Sequence, residues 1–295
     1  MSGGAAMPAL LKRRGLVVVT GKGGVGKTTL AAALGRLYAA AGRKTMLLEV
    51  DPRQNLHHVL GVPPSEREVV GAGPRLWLQN LRPTDVLEDL VRSKLKVAAL
   101  ARRVTASPMF QHFAAGAPGF KEMALLGHAL RMVRGDLKPA VDVVVLDAPA
   151  TGHGAALLAA PQLVADVITK GPVGALAREV AEFVAARERC AVVIVTLAQE
   201  MPLQETLELL TVLRERSGRA PELVIANALV PPLPGGAAPA GADDALALWR
   251  ARRADNQRQL SRLRDAWAGP LLEVPLLAAD GPALPTAVAQ LLERA

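Results

Sequence analysis

Short apolar runs and longer helical stretches alternate along the chain. LVVVT (16–20) is aliphatic and β-branched, which predicts a buried strand, and residues 28–41 after it are rich in helix formers and end at Gly42. MLLEV (46–50) predicts a second buried strand, so the three elements form a βαβ unit. Further strands are predicted at 76–81, 141–147, 191–197, 222–227 and 271–275. Because helical stretches separate most of them, the pattern predicts an α/β fold with a mostly parallel sheet covered on both faces.

Two stretches interrupt this alternation. Residues 84–135 are long and largely helical, and we interpret them as a helical insertion in the α/β body. Residues 231–244 are rich in Pro, Gly and Ala, which is typical of a mobile surface loop. Since the chain has no internal repeat and its first residues lack the apolar core of a signal peptide, we predict a flexible tail at 1–13 and one domain at 14–295.

Composition narrows the class of protein. No apolar run approaches the roughly 20 residues that cross a bilayer, so no transmembrane segment is expected. Cys190 is the only cysteine, which excludes an internal disulfide and a CxxC metal site; we expect a cytoplasmic protein in which this side chain is a small buried hydrophobe. The formal charge of +8 fits an anionic partner (nucleotide, nucleic acid or acidic membrane) or a solvated arginine surface.

The segment TGKGGVGKTT (20–29) lies between the first predicted strand and the first predicted helix. It fits G-x-x-x-x-G-K-[ST], in the strand–loop–helix context that the motif needs. Glycines let successive backbone N–H groups face phosphate oxygens at a helix N-terminus, Lys27 can reach the β- and γ-phosphates, and the Thr28 hydroxyl can hold Mg²⁺. The residues predicted to contact ATP here are Gly21, Gly23, Gly24, Val25, Gly26, Lys27, Thr28 and Thr29.

Lys22 is a second lysine in this loop, and phosphate binding does not require it. Its glycine neighbours leave it free of local packing. The run GKGGVGKTT resembles the deviant Walker A loop of the MinD, ParA, nitrogenase iron protein and ArsA/Get3 group of three-layer P-loop NTPases. The resemblance implies that Lys22 reaches across a dimer interface and neutralises charge on the phosphoryl group transferred in the partner's site. The alternative is a solvated loop lysine.

EVDPRQNL (49–56) follows the second strand. An aspartate at the end of a strand beside a phosphate loop can position the attacking water or an outer-shell Mg²⁺. The segment resembles both the D-P-A-H-N switch I of the ArsA/Get3 ATPases and the D-P-Q-G-N of ParA proteins, with Asp51, Pro52 and Asn55 matching. Both resemblances imply that Asp51 is catalytic and acts on the water.

VVVLDAPATGHGAALLAAP (143–161) separates these two branches. Its strand ends in Asp147, a Walker-B-like position that would bind Mg²⁺ through water. The segment resembles the D-T-A-P-T-G-H-T signature of the ArsA/Get3 ATPases, with Asp147, Thr151, Gly152 and His153 matching, whereas ParA proteins have D-x-P-P here. The resemblance implies that these four residues form switch II.

Further segments resemble the same family in the same order, and the likeness covers roughly residues 14–285. They are APGFKEM (117–123), VTLAQEMPLQET (195–206), VIANALVPP (224–232) and EVPLLAADGPAL (273–284). The last two imply adenine contacts at Asn227, Pro275 and Leu276, and an Asn amide can serve both the donor and the acceptor edge of adenine. The alternative for Asn227 is a turn residue at a strand end.

The family pattern also breaks in places. Arsenite-pump ATPases need thiolates for arsenite, and Get3 binds zinc through a CxxC pair, so the lone Cys190 argues against both functions. His57 and His58 are expected to face solvent. Residues 249–267 predict an amphipathic helix with a solvated arginine face, and nucleic-acid binding is not expected.

The helical insertion bears on the client. In Get3-type proteins, helices in this region form a hydrophobic groove for transmembrane segments. The apolar residues here either line such a groove or pack in the core: Leu87, Leu90, Leu95, Leu100, Met109, Phe110, Phe113, Met123 and Leu126.

The leading hypothesis is a Mg²⁺-dependent ATPase of ArsA/Get3 type. It would dimerise around ATP with an identical chain or a related ATPase, and would couple hydrolysis to a partner, a hydrophobic client or a membrane protein. One alternative is a ParA/MinD-like spatial organiser on DNA or membrane. Another is a weakly hydrolysing nucleotide-binding scaffold in a heterodimer. Attachment at the membrane periphery stays open.

Overall fold

The computed structural model describes residues 14–51, 53–94, 106–107, 116, 119–149, 154–233 and 243–294. Several predicted features lie outside these residues: the tail at 1–13, most of the loop at 231–244, and the switch residues Pro52, Thr151, Gly152 and His153.

Within the described residues, the strands form one eight-stranded sheet in the order β3-β4-β2-β5-β1-β6-β7-β8. The strands are β1 (Leu16–Thr20), β2 (Thr45–Glu49), β3 (Val70–Gly73), β4 (Leu76–Asn80), β5 (Val143–Asp147), β6 (Cys190–Leu197), β7 (Leu223–Leu229) and β8 (Leu271–Pro275). Neighbouring strands are parallel. The exception is the antiparallel β3–β4 pair at one edge. The predicted α/β fold with a mostly parallel sheet is therefore confirmed.

Helices cover both faces of the sheet. They are α1 (Lys27–Ala40), α2 (Asn55–Leu60), α3 (Pro83–Lys94), α4 (Phe120–Arg134), α5 (Gly154–Val167), α6 (Gly171–Ala185), α7 (Glu200–Ser217), α8 (Asp243–Ala266) and α9 (Ala283–Arg294). Val17 and Val19 of β1 pack in a core with α1, α2 and α9, while Leu16 and Val18 pack in a second core with α3 to α8. Successive strand residues point to opposite faces, so an all-apolar strand such as β1 can support both helical layers.

The sequence pattern missed β3. Its sequence VGAG is short, contains two glycines and shows no apolar run. It is the edge strand of the sheet and forms because it pairs with β4, with a register shift between Gly71 and Gly73. Backbone pairing of this kind leaves no hydrophobic signal in the sequence.

Four of the apolar positions proposed for a client groove belong to the core. Leu87 and Leu90 of α3 and Met123 and Leu126 of α4 are at most 4% exposed. They belong to one core cluster in which α3 packs against α4, and α4 packs against α5 and α6, so of the two alternatives for these four residues the structure shows packing in the core. The other five, Leu95, Leu100, Met109, Phe110 and Phe113, lie outside the described residues. Among the helices of the described part of the chain, none has the length and apolar character to cross a membrane.

The arginine-rich segment forms α8 with the predicted polarity. Leu260, Leu263 and Trp267 on its apolar side are buried, and the indole N–H of Trp267 donates to the Pro270 carbonyl at 3.0 Å. Arg250 and Arg252 are exposed. Cys190, at the start of β6, is fully buried, and burial raises the pKa of its thiol to about 11. The thiol therefore behaves as the small hydrophobe that the sequence predicts.

Candidate nucleotide site

The phosphate loop joins β1 to α1 and is pressed against β6 and β7. Gly21 and Gly26 have φ angles of 145° and 93°, a region that residues with a side chain seldom adopt. A Cβ on Gly21 would overlap the carbonyl oxygen of Val195, and one on Gly26 would overlap the side-chain amide of Asn227. Both glycines are therefore required by close approach as well as by conformation.

Lys27 begins α1 and is only 6% exposed. Its Nζ donates a hydrogen bond to the backbone carbonyl of Lys22 at 2.6 Å, which holds the side chain along the loop. Burial lowers the pKa of Lys27, and the charge of Asp147 acts in the opposite direction. A cation at a helix N-terminus, beside backbone N–H groups, forms an anion-binding site.

Thr28 and Asp147 are joined across two elements. The Thr28 hydroxyl donates to Oδ2 of Asp147 at 2.6 Å. The second oxygen of Asp147, Oδ1, is buried and has no hydrogen-bond partner among the described residues. Burial raises the pKa of this carboxyl group to about 6, and a cation beside it would favour the ionised form. A hydroxyl and a carboxylate with a spare oxygen are suitable ligands for Mg²⁺, so these residues fit the ion.

Asp51 lies just beyond β2, and its neighbours hold it in place. Its Oδ1 accepts the backbone N–H of Arg53 at 2.9 Å, and its Oδ2 accepts the side-chain amide of Asn55 at 2.6 Å. The amide of Asn80, at the end of β4, donates to the Asp51 carbonyl at 2.7 Å. The carboxylate is thus oriented by contacts on both of its oxygens.

A cavity of about 460 Å³ connects these groups at the carboxyl ends of β1, β2 and β5. The residues of the predicted site that line it are Gly23, Gly24, Gly26, Lys27, Thr28, Asp51, Asn55 and Asp147. Parallel strands bring their carboxyl ends to one edge of a sheet, which explains why residues far apart in sequence meet here.

Glu49 also lines this cavity, and sequence reasoning missed it. The last residue of β2, it is fully buried, and burial raises the pKa of its carboxyl group to about 7. The signal was present in MLLEV, where a single acidic residue interrupts an otherwise apolar run.

Lys22 lies on the other side of the phosphate loop from this cavity. Its amine forms an ion pair and hydrogen bond with the carboxylate of Glu205 in α7, and the two side chains are 38% and 37% exposed. A second cavity, of about 590 Å³, lies here between the loop, α5 and α7. The sequence did not predict this contact, because a residue 183 positions away supplies the partner.

The predicted adenine contacts lie at the ends of β7 and β8. The side-chain amide of Asn227 donates to the Val25 carbonyl at 2.9 Å, which ties β7 to the phosphate loop. Pro275 ends β8 opposite Leu229, and the backbone N–H of Leu276 donates to the Leu229 carbonyl at 2.7 Å. Leu276 is 49% exposed, so its side chain is available for contact.

The prediction that His57 faces solvent is wrong. The imidazole is 1% exposed, whereas His58 faces solvent as predicted. Its Nε2 lies 3.0 Å from the Ser65 hydroxyl, and burial lowers its pKa. The side chain is buried because α2 is anchored on the sheet with His57 turned toward Glu49, at 3.7 Å from Nδ1 to Oε2.

Comparison of the sequence with known proteins identifies a family. Residues 14–176, more than half of the chain, match the sequence profile of the anion-transporting ATPases of ArsA type. The ATPase BagA of Mycobacterium tuberculosis is 35% identical over 220 residues, which are 70% of this chain and 64% of that protein. The ATPase GET3 of Malassezia globosa is 29% identical over 152 residues, 51% of this chain and 43% of the relative.

A third relative is ATPase ASNA1 homolog 2 of Paramecium tetraurelia, which is 27% identical over 159 residues, 52% of this chain and 46% of its own length. The chain thus spans less than two thirds of the mycobacterial relative and less than half of the other two. The switch I segment resembles both ArsA/Get3 and ParA proteins, and the switch II segment resembles only the former. The matches agree with switch II and favour the ArsA/Get3 branch. The chain belongs to the family of ArsA-type anion-transporting ATPases.

Proposed function

We propose that this chain hydrolyses ATP in the cavity between the phosphate loop and switch I. The observation that carries the proposal is the convergence of three groups on one cavity: a buried lysine, a hydroxyl–carboxylate pair and a fixed aspartate, contributed by Lys27, Thr28 with Asp147, and Asp51. These groups supply what phosphoryl transfer to water needs, namely charge neutralisation, a place for a divalent cation and a group that orients the nucleophile.

Each residue has a distinct role in this proposal. Lys27 binds the terminal phosphates, and the loop backbone fixes their position. Asp51 accepts a hydrogen bond from the attacking water and orients it, and Asn55 keeps the carboxylate turned toward the cavity. Mg²⁺, held by the Thr28 hydroxyl and through water by Asp147, would supply positive charge at the phosphate oxygens when bound.

The adenosine part of ATP would lie beside the ends of β7 and β8. The contact of Asn227 with the loop at Val25 supports this placement, since it brings an amide close to the bound phosphates. Pro275 and the half-exposed Leu276 offer apolar surface for the base at the adjacent strand end.

The site would be completed by a second subunit, either an identical chain or a related ATPase. Lys22 would contribute across the interface, for which it must leave Glu205. Coupling to a partner or hydrophobic client is supported by two apolar side chains on α5, the helix that follows the switch II segment. Leu163 is 53% exposed and Val167 81% exposed. Movement of switch II on hydrolysis would change how α5 presents them.

The test is phosphate release by wild type and by D51N, with ATP binding measured separately. We expect D51N to lose about 100-fold or more in turnover while binding ATP normally, because Asp51 acts on the water and not on the nucleotide. D136N is a matched control, because Asp136 is an exposed aspartate in the turn after α4. Wild-type turnover in D51N would contradict the role of Asp51, and ATP binding by wild type without phosphate release would favour the scaffold alternative.

A further inference from the structure

Glu49 is a fully buried carboxyl group in the wall of the nucleotide cavity with no role in the mechanism above. It lies beside Asp147, its register partner in the adjacent strand β5. Burying a carboxyl group is costly unless its contacts compensate. The contacts of Glu49 therefore indicate what it does.

One oxygen of Glu49 holds the start of α2. Its Oε1 accepts the backbone N–H of Leu56 at 2.8 Å, in the first turn of that helix. The helix begins at Asn55, whose side chain donates to Asp51 at 2.6 Å. A continuous path of two hydrogen bonds and one residue of backbone therefore runs from Glu49 to the carboxylate of Asp51.

The other oxygen faces His57. The Ser65 hydroxyl donates its only hydrogen to the Glu68 carbonyl at 3.1 Å, so the contact of 3.0 Å between Ser65 and His57 requires the hydrogen on Nε2 of the imidazole. The Nδ1 of His57 is thereby turned toward Oε2 of Glu49, at 3.7 Å. In the described part of the chain, this oxygen has no hydrogen-bond partner.

The same serine also fixes the residue before α2. The Ser65 backbone N–H donates to the side-chain carbonyl of Gln54 at 2.9 Å, and Gln54 has a left-handed backbone with φ 52°. A non-glycine residue holds this conformation only where its surroundings fix it. Glu49 and Ser65 thus both hold the start of α2 by hydrogen bonds, Glu49 at Leu56 and Ser65 at Gln54.

We propose that Glu49 is a positioning residue for Asp51, acting through the Leu56 amide and Asn55. The proposal rests on the ATPase function proposed above. Glu49 does not need to touch the nucleotide: it fixes the first turn of α2, and that turn fixes the side chain that orients Asp51. This role requires a hydrogen-bond acceptor on a side chain as long as that of glutamate. It does not require a negative charge.

Two substitutions separate reach from charge. E49Q removes the charge but keeps an acceptor for the Leu56 N–H and adds a donor for Nδ1 of His57. E49D keeps the charge but is shorter by one methylene, about 1.5 Å, so it cannot maintain the 2.8 Å contact. T45V is the control, since Thr45 is fully buried in the same strand and its hydroxyl donates to the Arg43 carbonyl, at the end away from the cavity.

The experiment measures kcat and KM for ATP, together with hydrogen exchange at the Leu56 amide. We expect E49D to lose about tenfold in kcat and to exchange about tenfold faster at Leu56, with KM changed by less than about twofold. E49Q and T45V should stay within about twofold of wild type in all three quantities.

The opposite ranking would overturn the proposal. If E49Q loses activity and E49D does not, the charge of Glu49 matters and its reach does not. Unchanged exchange and kcat in E49D would show that α2 does not depend on this contact. A wild-type chain that binds ATP but releases no phosphate would contradict the proposed ATPase function instead, and the exchange rates would still decide whether Glu49 holds the start of α2.

Discussion

The two lysines of the phosphate loop lie five residues apart and have opposite surroundings. Lys27 is 6% exposed, bonded to a carbonyl within its own loop and close to Asp147. Lys22 is 38% exposed and is paired with Glu205, which belongs to a different helix. We call the side of the loop with Lys27 and the 460 Å³ cavity the cation face, and the side with Lys22 and Glu205 the partner face.

The difference concerns which contacts can change during function. On the cation face, buried groups are held by short hydrogen bonds, and moving them would leave polar atoms unsatisfied in the core. On the partner face, an exposed ion pair is worth about 0–1 kcal/mol and can be exchanged for another at little cost. The contacts of the cation face are therefore costly to break, whereas Lys22 can change partners at little cost.

Removing the lysine of the cation face should have the largest effect. K27A leaves the cavity without its buried cation, so we expect ATP binding to weaken by about 100-fold and phosphate release to be lost. Nucleotide titration and phosphate release measure the two quantities. K44A is the control, since Lys44 is exposed just before β2, at the opposite edge of the sheet. Normal ATP affinity in K27A would contradict the assignment of the cation face.

Removing the lysine of the partner face should spare binding and lower turnover. We expect K22A to bind ATP within a fewfold of wild type and to release phosphate about 100-fold more slowly, because in the proposed mechanism Lys22 acts on the charge that develops in the partner's site. Measured side by side, K22A and K27A therefore separate the two faces: only K27A should lose affinity for ATP.

Mixing variants tests whether Lys22 acts in the partner. In a dimer of one K22A and one D51N subunit, one site has both Asp51 and the partner's Lys22, and the other has neither. Random mixing should restore about a quarter of wild-type turnover, whereas each variant alone should stay about 100-fold or more below wild type. Intact mixed dimers without any restored activity would place Lys22 in its own subunit's site.

The buried carboxyl groups of the cation face, Glu49 and Asp147, should make the free energy of unfolding depend on pH. The exposed ion pair of the partner face should not. Because burial raises the pKa of Glu49 from 4.5 to about 7, the folded chain keeps a proton that the unfolded chain releases at lower pH. This contribution is fully present below pH 4.5 and is lost as the pH rises through 7. Asp147, with its pKa near 6, acts in the same direction, and His57, whose pKa is lowered, acts in the opposite one.

Denaturant unfolding at pH 5.5 and pH 8 measures this dependence. E49Q cannot ionise, so its free energy of unfolding should gain on that of wild type by about 1–3 kcal/mol between the two pH values. E205Q, which alters the exposed ion pair, should keep a constant difference from wild type over that range. Parallel pH dependence of E49Q and wild type would show that Glu49 does not hold an extra proton in the folded chain.

Most of the cation face could be predicted from the sequence because its signals are local. The phosphate loop is identified by the spacing of Gly21, Gly26 and Lys27 between a strand and a helix. Asp51 and Asp147 end or follow buried strands, and parallel strands bring such residues together. The hydrogen bond between Thr28 and Asp147 follows from that geometry.

The partner face could not be predicted in the same way. The pairing of Lys22 with Glu205 depends on how α7 packs beside the loop, and the glycines around Lys22 show only that it can move. The prediction for His57 was wrong for a related reason. Two adjacent histidines on a short helix face different sides, and only the packing of the helix decides which of them is buried. These contacts depend on packing between distant segments, which periodicity does not reveal.

Releasing Lys22 should have the smallest effect. E205Q removes the charge that holds Lys22, so the lysine becomes available to a partner, and we expect turnover at low protein concentration to rise about two- to fivefold, the range of an exposed ion pair. E208Q is the matched control, one turn along the same helix at the wall of the same cavity. Added salt screens exposed charges, so it should accelerate wild type toward E205Q and change E205Q less. A slower E205Q would mean that Glu205 takes part in hydrolysis itself, and the partner face would then be as fully assembled as the cation face.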